Sequence, residues 1–531
     1  MQQLASPLKP KGFKKFVIVA TVISATMLEL IDTTIVNVAL SNISGNLGAT
    51  IEDASWIVTA YAIANVIVIP MTGFLASYFG RKNYYLTSII IFTFASFMCG
   101  NSTNLWELVA WRFIQGIGGG ALLSTSQSIL FDTYETSERP TASAIFGMGV
   151  IIGPTVGPTL GGYIVDSYHW SYIFDINIPV GILAAFLVYS FIDKQPYEYK
   201  IDRKKIKIDY IGIALLCLWV GSLQYILEKG QSEDWFQAKH IVVLTVVAVI
   251  SFVGFVWWEL KTDAPAVNLK VLKNRTLAIT TVLTFIMGMG IYCSMFVYPV
   301  WMQQIMGFTP TLTGESLLPG AVVAAFMMPL VARAIMKGVA PKYLITCGFT
   351  IFAFFCFWMA SASSEAGAEF FFIPLLLRGV GMAMLSVPLT NQAVSGLQPM
   401  EMPQGIAINN MLRQLGGSFG IAFMNTYVAT QYATHRIQML QYANSDNPIA
   451  VNQLNQTAQS MIAKGVQPSA AHDVALKVMD GIVTKQAYVL TYLDAFRIVG
   501  IFFICVLPLM FFVKKRNLSK DAMKEASEHA H

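Results

Sequence analysis

The sequence predicts an all-α polytopic membrane protein, and its composition, its long apolar runs and the placement of its basic residues support this fold class. Of its 531 residues, 55% are apolar and only 12% are charged. So few charges cannot solvate the surface of a globular protein of this size. Apolar runs of about 20 residues, the length that crosses a hydrocarbon core as a helix, recur between short polar segments.

Fourteen such runs are expected to cross the membrane as helices, and they are numbered here from span 1 to span 14. Each run is long enough to satisfy its backbone hydrogen bonds within one helix, as a membrane requires. Their approximate limits are 17–40, 53–75, 84–101, 106–130, 141–165, 170–192, 208–228, 240–260, 277–303, 313–337, 341–361, 368–395, 405–430 and 490–513.

Lysine and arginine residues indicate the orientation of these spans, because basic residues are retained in the cytoplasm. With both termini in the cytoplasm, 25 of the 35 basic residues lie in cytoplasmic segments, six lie outside and four lie within spans. The net charge of +5 is therefore a signal of topology. No nucleic-acid partner is expected from it.

A charged segment at 193–207 follows span 6 and suggests a boundary between two helix bundles. The sequence predicts a six-helix bundle with its cytoplasmic linker at 1–207 and two extra membrane helices at 208–270. A second six-helix bundle is expected at 271–531 and includes a long outside loop at 431–489. Two interpretations of that loop stay open: a mobile connection, and a lid or docking surface for an outside partner.

A weak internal repeat supports the two-bundle organisation. The stretch PMTGFLASYFGRKNYYL from Pro70 is echoed by PLVARAIMKGVAPKYLI from Pro329. WRFIQGIGGG, which contains Arg112, is echoed by LRGVGMAML, which contains Arg378. Parallel repeats of six spans are a known plan for membrane proteins. Arg378 and Arg413 are interpreted as structural or gating charges within their spans.

Span 1 carries two carboxylates in the stretch LELIDTTIVNVAL, residues 28–40. On a helix, Glu29 and Asp32 share an arc of about 140° with polar neighbours that include Thr33 and Asn37. A carboxylate at mid-membrane costs several kcal/mol unless it is paired, hydrated or protonated. Both acids are therefore candidate proton carriers, with a helix-locking role as the alternative, and Thr33 and Asn37 are candidates for lining a cavity.

Span 4 offers a basic partner for these acids. Span 1 runs outward and span 4 runs inward, so Asp32 and Arg112 are expected at ~12 Å and ~9 Å from the same surface. The two side chains can therefore meet, and Arg112 keeps its charge under all conditions. Gln115 and Asp175 are further candidates for lining a cavity, with a packing or loop role as the alternative for Asp175.

Span 5 reads GMGVIIGPTVGPTLGGY and has a glycine at every fourth position. Such a stripe lets another helix approach closely, whereas a proline inside a helix favours a kink. Gly153, Pro154, Gly157 and Pro158 are therefore predicted to form a hinge between the bundles, with ordinary close packing as the alternative.

The stretch GFLASYFGRKN from Gly73 is predicted to form a short cytoplasmic turn. Gly80, Arg81 and Lys82 lie at this turn. The positive-inside rule accounts for the two basic residues, but it does not account for the spacing of the glycines.

Several kinds of chemistry have no signature here. The sequence has no GxxxxGK[ST] motif for ATP, no HExxH motif or Cys/His cluster for a metal, and no nucleophile elbow. We therefore expect no enzyme activity, no cofactor and no metal. The six cysteines have no paired spacing and are expected to be structural thiols.

The quoted motifs resemble those of the fourteen-span drug:proton antiporters of the major facilitator superfamily, the EmrB/QacA-type branch, and most closely the EmrB type. The resemblance rests on LIDTTIVNVAL, GFLASYFGRK, WRFIQGIGGG and GPTVGPTLGG. WSYIFDINIPVG from Trp170 and AYVLTYLDAF from Ala487 extend it along the chain. Together these motifs are specific for the branch and do not identify a substrate.

The resemblance implies a major facilitator fold, in which two six-helix bundles rock about a central cavity, with two extra linker helices. It implies export of hydrophobic or amphipathic compounds in exchange for protons, with Asp32 as the proton site and Arg112 beside it. It also implies a bacterial inner-membrane location, a periplasmic adaptor of the EmrA type and an outer-membrane channel.

Three residues depart from the family pattern. Ser77 stands where the loop signature usually has an aspartate, and Glu29 and Asp175 add acids where relatives are commonly neutral. The two additional acids would change the proton count or favour cationic substrates. Within transport, the alternative function is uptake of a small solute or lipid flipping by the same fold. From another class, the alternative is a membrane receptor or scaffold that uses loop 431–489.

Overall fold

The structure, a computed structural model, describes residues 9–194, 208–363 and 366–512. Fourteen long helices dominate this part of the chain, and the predicted all-α class is confirmed. They are α1 Gly12–Leu47, α2 Trp56–Phe79, α3 Arg81–Gly100, α4 Leu105–Thr133, α5 Arg139–Ser167, α6 Asn177–Phe191, α7 Tyr210–Lys229, α8 Lys239–Lys261, α9 Arg275–Gln304, α10 Pro310–Met336, α11 Pro341–Met359, α12 Ala368–Gln392, α13 Met402–Leu440 and α14 Pro468–Val506.

Twelve helices in the described ranges are long and apolar enough to cross a membrane. The other two predicted spans, 4 and 13, correspond to α4 and α13, which have the required length but carry more polar side chains. The total of fourteen spans therefore stays a prediction, while the multi-pass character of the chain is established.

Local sequence explains where many helices begin. The side chains of Asn104, Asn274 and Thr309 accept hydrogen bonds from backbone N–H groups in the first turns of α4, α9 and α10. Proline occupies the first turn of α10, α11, α13 and α14, where its missing N–H costs nothing. Gly80 separates α2 from α3 with a φ of +82°, a conformation that favours glycine.

The helices form two groups of six around an interface. Helices α1 to α6 pack against one another, as do α9 to α14, and the pair α7 and α8 packs mainly within itself and against α2 and α13. The bundles meet where α5 packs on α10 and α12, and where α13 packs on α2 and α4. The domain limits at 207 and 270 remain predictions, and residues 195–207 of the expected linker lie outside the described residues.

The outer surface of α8 is apolar and uncovered. Val243, Val246, Ile250 and Val253 are each more than half exposed, although water would disfavour such a surface. A continuous apolar face of this kind is expected of a helix that contacts lipid. The extra pair of helices therefore adds to the lipid-facing perimeter.

Buried polar contacts join the two bundles at one end of the molecule. The linker side is the end at which α1 begins and α6 ends, and the loop side is the end at which α13 ends and α14 begins. On the linker side, every residue of α4 from Gly118 to Phe131 is buried. Asn410 of α13 donates hydrogen bonds to Ser124 (3.2 Å) and to Gln127 (2.9 Å) of α4. The bundles are therefore sealed together on the linker side.

The segment predicted as loop 431–489 is mostly helical. Helix α13 continues to Leu440, α14 already begins at Pro468, and a further helix spans Pro448–Ala463 between them. The rings of Tyr432 and Tyr488 stack at a centroid distance of 4.1 Å, which holds the extended ends of α13 and α14 together. Helices α13 and α14 therefore continue beyond the predicted membrane limits at 430 and 490, and their extended ends are polar.

Close backbone contact between α9 and α13 provides a test of this packing. A Cβ at Gly416 would overlap the backbone oxygen of Phe285, whereas a Cβ at Gly481 would meet open space. We expect Gly416→Ala to lower the stability by about 1–3 kcal/mol, because the backbones must separate. Thermal unfolding of the purified protein measures this.

Gly481→Ala is the matched control, since it makes the same change at an open helical position. It should leave the unfolding temperature unchanged or raise it slightly. Equal unfolding temperatures for the two variants would contradict the proposed backbone contact.

Candidate functional site: a buried charge network in the first bundle

Asp32 lies near the middle of α1 and is completely buried, with 0% of its surface exposed. Arg112 of α4 is 1% exposed and lies directly beside it. Arg112 Nη1 donates to Asp32 Oδ2 at 2.5 Å, so the two residues form a buried ion pair. At this depth each member of such a pair compensates the buried charge of the other.

The other oxygen of the Asp32 carboxylate accepts two hydrogen bonds. Gln115 Nε2 and Asn177 Nδ2 each donate to Oδ1 at 2.9 Å. Ser96 Oγ accepts from the same two amide groups, at 2.7 Å and 3.3 Å. Residues from α1, α3, α4 and α6 therefore meet in one network, and both oxygens of the Asp32 carboxylate accept hydrogen bonds within it.

Arg112 is also held by groups that do not depend on Asp32. Its Nε donates to the backbone oxygen of Ile57 at 3.2 Å, and its Nη1 also donates to Gln115 Oε1 at 2.7 Å. The Tyr61 ring lies under the guanidinium at 4.2 Å, a distance typical of a cation–π contact. These contacts hold Arg112 in place, and its bond to Asp32 is one further contact.

Ser96 and Asn177 are the members of this network that the sequence interpretation missed. Asn177 follows the stretch WSYIFDI, where Asp175 was chosen instead because it carries a charge. A polar amide inside an apolar span was the available signal, since such a group requires a hydrogen-bond partner in the membrane. Ser96 gave no comparable signal, because small hydroxyl residues are frequent in membrane helices.

The structure separates the residues that were expected to line a cavity. Gln115 is fully buried in the Asp32 network and lines no open space. Thr33 is half-buried and Asn37 is exposed, which leaves both accessible from the loop-side half of α1. Asp175 lies beside Gly100 at the loop-side end of α3, outside the network.

Glu29 lies one turn from Asp32 but in a different environment. It is buried, and its Oε1 accepts a hydrogen bond from Asn65 Nδ2 of α2 at 3.0 Å, while Oε2 has no partner. Arg413 of α13 interacts with it electrostatically across the bundle interface. Of the polar residues predicted on one face of span 1, Glu29 and Asp32 are therefore buried, whereas Thr33 and Asn37 are accessible toward the loop side.

The glycine stripe of α5 contacts α1 and not the second bundle. A Cβ at Gly153 would lie 2.8 Å from Leu30 Cβ, and one at Gly157 would lie 3.1 Å from the backbone oxygen of Ile31. The close helix approach predicted for this stripe is therefore made with α1, within the first bundle. Helix α5 runs through Pro154 and Pro158 without interruption.

The opposite side of α5 makes the contact between the bundles. Gly147 of α5 lies against Met328 of α10, and Gly314 of α10 lies against Thr159 of α5. Small residues on both helices therefore bring α5 and α10 together. A hinge role for α5 remains a prediction.

The turn motif after α2 contributes contacts on the linker side. Gly73 lets Gln404 of α13 approach, since a Cβ there would lie 3.1 Å from the Gln404 Cα. Arg81 forms an ion pair with Asp132 at the end of α4. Lys82 donates to the backbone oxygen of Tyr189 at 2.7 Å. The motif thus closes the first bundle and touches the second.

No group of three or more His, Cys, Asp or Glu side chains suited to a metal occurs in the described ranges. All six cysteines lie in those ranges, and each has a free thiol. The chemistry of the site is therefore carried by carboxylate, guanidinium and amide groups.

A membrane protein of two six-helix groups, closed at one end and with a buried acid–base pair in the first group, has the architecture of a secondary transporter. The Major Facilitator Superfamily model matches residues 22–421. The chain belongs to the Major Facilitator Superfamily, and the resemblance proposed from the sequence motifs is confirmed.

Characterised relatives cover nearly the whole chain. It is 32% identical to the multidrug export protein EmrB of Escherichia coli (strain K12), over 95% of this chain and 97% of that protein. It is 31% identical to the fatty acid resistance protein FarB of Neisseria gonorrhoeae, over 92% of this chain and 94% of that one.

Solved structures agree on the fold. The human organic anion transporter MFSD10 (TETRAN) superposes with a TM-score of 0.60 at 14% identity, covering 93% of this chain and 99% of its own. The proton:xylose symporter XylE gives a TM-score of 0.56 at 12% identity, covering 95% and 98%. These similarities establish the major facilitator fold.

The buried ion pair predicts strong coupling between its two residues. Arg112→Gln leaves the Asp32 charge buried without its cation and should cost about 3–5 kcal/mol of stability. The double variant with Asp32→Asn should be less destabilised than the sum of the two single variants. Thermal unfolding of the four proteins in one detergent measures the coupling energy.

The exposed pair Arg436 and Asp480 is the control, because its atoms are 2.7 Å apart but largely solvated. Arg436→Gln should leave the unfolding temperature almost unchanged. Additive effects of the Asp32 and Arg112 substitutions would show that the pair is not coupled.

Proposed function

We propose that this protein is a proton-coupled multidrug exporter, which moves hydrophobic or amphipathic compounds out of the cell in exchange for protons. The observation that carries the proposal is the Asp32–Arg112 ion pair inside the first bundle. The names of relatives, multidrug export protein and fatty acid resistance protein, support this class of cargo.

The proton step is assigned to Asp32. In the ionised state its carboxylate accepts hydrogen bonds from Arg112, Gln115 and Asn177. Protonation removes the negative charge, so the ion pair is lost while Arg112 keeps its bonds to Ile57 and Gln115. The network around Asp32 therefore has two arrangements, and the proton selects between them.

The bundle geometry supports alternating access. With the linker side sealed, the accessible polar positions of α1 lie toward the loop side, at Thr33 and Asn37. We assign the linker side to the cytoplasm, both termini with it, and the membrane to the bacterial inner membrane. The sealed state is then the one that receives protons from outside and releases cargo there.

The hinge is assigned to α5. Its glycine side lies on α1, which carries Asp32, and its other side lies on α10 of the second bundle. A change around Asp32 therefore reaches the bundle interface through a single helix. Pro154 and Pro158 each remove one backbone hydrogen bond, which lowers the cost of bending α5 at that level.

The driving force is sufficient for export. Moving one charge inward across the membrane yields about 2.3 kcal/mol per 100 mV, in addition to any pH gradient. A gradient of 1.4 kcal/mol already corresponds to about tenfold accumulation. One proton per cycle therefore supports a useful concentration ratio, and no bound cofactor is required.

The helical extension on the loop side is assigned to a partner outside the membrane. We propose that it contacts a periplasmic adaptor of the EmrA type, through which cargo reaches an outer-membrane channel. Arg436 and Asp480 pair across the extension at 2.7 Å, and His435 bonds Asp494 at 2.9 Å. Ordered helices offer such a partner a surface of fixed shape.

Asp32→Asn tests the proton step. Purified protein in proteoliposomes should release protons when a substrate is added, and this signal should disappear in the variant because an amide cannot carry the proton. Size-exclusion chromatography must show a folded variant. Normal drug-driven proton release from Asp32→Asn would rule out the assignment.

Asp263→Asn provides the matched control, since it makes the same change at an exposed aspartate between α8 and α9 and should retain proton release. In an efflux-deficient bacterium, a drug panel should show resistance with the intact chain and with this control. Loss of resistance with Asp32→Asn alone is the expected pattern. A receptor or scaffold would confer no resistance and no flux.

Replacing residues 442–466, the tip of the extension, by a flexible linker tests the partner contact. We expect drug-driven proton release in proteoliposomes to be unchanged, because α13 and α14 remain paired through Tyr432 and Tyr488. Resistance of intact cells should fall if the adaptor binds this tip. Unchanged resistance would reject the contact.

A further inference from the structure

The second bundle contains an arginine without an acidic partner. Arg378 of α12 is 7% exposed and lies in the membrane-spanning part of its helix. No described carboxylate forms an ion pair with it, and its one hydrogen bond runs from Nε to Ser294 Oγ at 3.1 Å. Both of its Nη groups are thus left without a protein partner among the described residues.

The first bundle contains a comparable arginine, Arg112, which does have an acidic partner. Arg112 and Arg378 occupy equivalent positions in the echoed stretches WRFIQGIGGG and LRGVGMAML. Asp32 lies 20 residues after the start of α1, and Ser294 lies 19 residues after the start of α9. Each arginine therefore bonds a side chain far along the first helix of its own bundle, and in the second bundle that side chain, Ser294, carries no charge.

An uncompensated guanidinium in this environment favours an anion from outside the chain. Serine has no charge, and Ser294 Oγ already donates its hydrogen to the backbone oxygen of Ile291 at 2.8 Å. A buried guanidinium without a counter-ion is unfavourable, and binding an anion relieves this cost. Its free Nη groups form the planar fork that matches a carboxylate.

The surroundings of Arg378 suit an amphipathic ligand. Tyr298 lies one turn beyond Ser294, and its hydroxyl is bonded to Ser316 Oγ of α10 at 2.8 Å. Its ring packs edge-on against Phe371 of α12 at 6.2 Å. Tyr298 and Phe371 belong to the core of the second bundle, so aromatic and apolar side chains adjoin the position of Ser294.

We propose that Arg378 binds the carboxylate of amphipathic monocarboxylate substrates, and that the serine at position 294 leaves the guanidinium available for them. This proposal rests on the proposed export function and specifies one class of its cargo. Asp32 of the first bundle then exchanges protons, and Arg378 of the second bundle binds the anionic group of the cargo.

Binding of decanoate and of decyltrimethylammonium tests the proposal, since the two probes share a chain length and differ in charge. The full chain is placed in phosphatidylcholine nanodiscs, and empty nanodiscs serve as the blank. Arg378→Gln should raise the Kd of decanoate about tenfold or more, because the charge-assisted bonds are lost. The Kd of decyltrimethylammonium should not rise.

Ser294→Asp gives a second test that keeps the arginine. The new carboxylate reproduces the pair of the first bundle, so it should occupy Arg378 and weaken decanoate binding to a similar extent. Ser294→Asn has the same size without the charge and should retain decanoate binding within about threefold. Arg333→Gln removes an exposed arginine at the linker-side end of α10 and should change neither affinity.

Unchanged decanoate affinity in Arg378→Gln and in Ser294→Asp would overturn the proposal. If Arg378→Gln fails to fold by size-exclusion chromatography, the comparison of Ser294→Asp with Ser294→Asn decides it. Flux measurements in proteoliposomes distinguish a failure of the export function from a failure of the anion site. Arg378-dependent binding without proton-coupled flux would reject export alone, and flux with Arg378-independent binding would reject the anion site alone.

Discussion

The ion pair between Asp32 and Arg112 is the constraint on which the first bundle depends. Two charges with almost no exposure are tolerated only when every oxygen and nitrogen has a partner. Gln115, Asn177 and Ser96 complete the network, which fixes how α1, α3, α4 and α6 face one another. The proposed protonation of Asp32 would therefore act on the packing of these four helices.

The two bundles share a plan but differ in charge. Arg112 has an acidic partner, whereas among the described residues the hydrogen-bond partner of Arg378 is the neutral Ser294. A repeated fold that pairs one arginine with an acid and the other with a serine places different chemistry in its two halves.

Close backbone contacts transmit changes between these centres. α5 lies between α1 and α10, and α13 joins α2, α4 and α9, so both interface helices touch elements that carry charged groups. The contacts are made where glycines remove side-chain bulk, as at Gly416 beside Phe285. Interfaces of this kind slide or separate as units, because the neighbouring backbone leaves no room for gradual adjustment.

The sequence by itself determined the helical membrane class, most span positions and the candidate pair Asp32 and Arg112, because apolar length and isolated charges are local properties. It did not show that Gln115 bonds Asp32 or that the glycines of α5 lie against α1. Asn177, Ser96 and the isolation of Arg378 became visible only in the tertiary structure, since a hydrogen-bond partner depends on which helix faces which. Sequence periodicity defines the face of a helix, and only packing decides what that face meets.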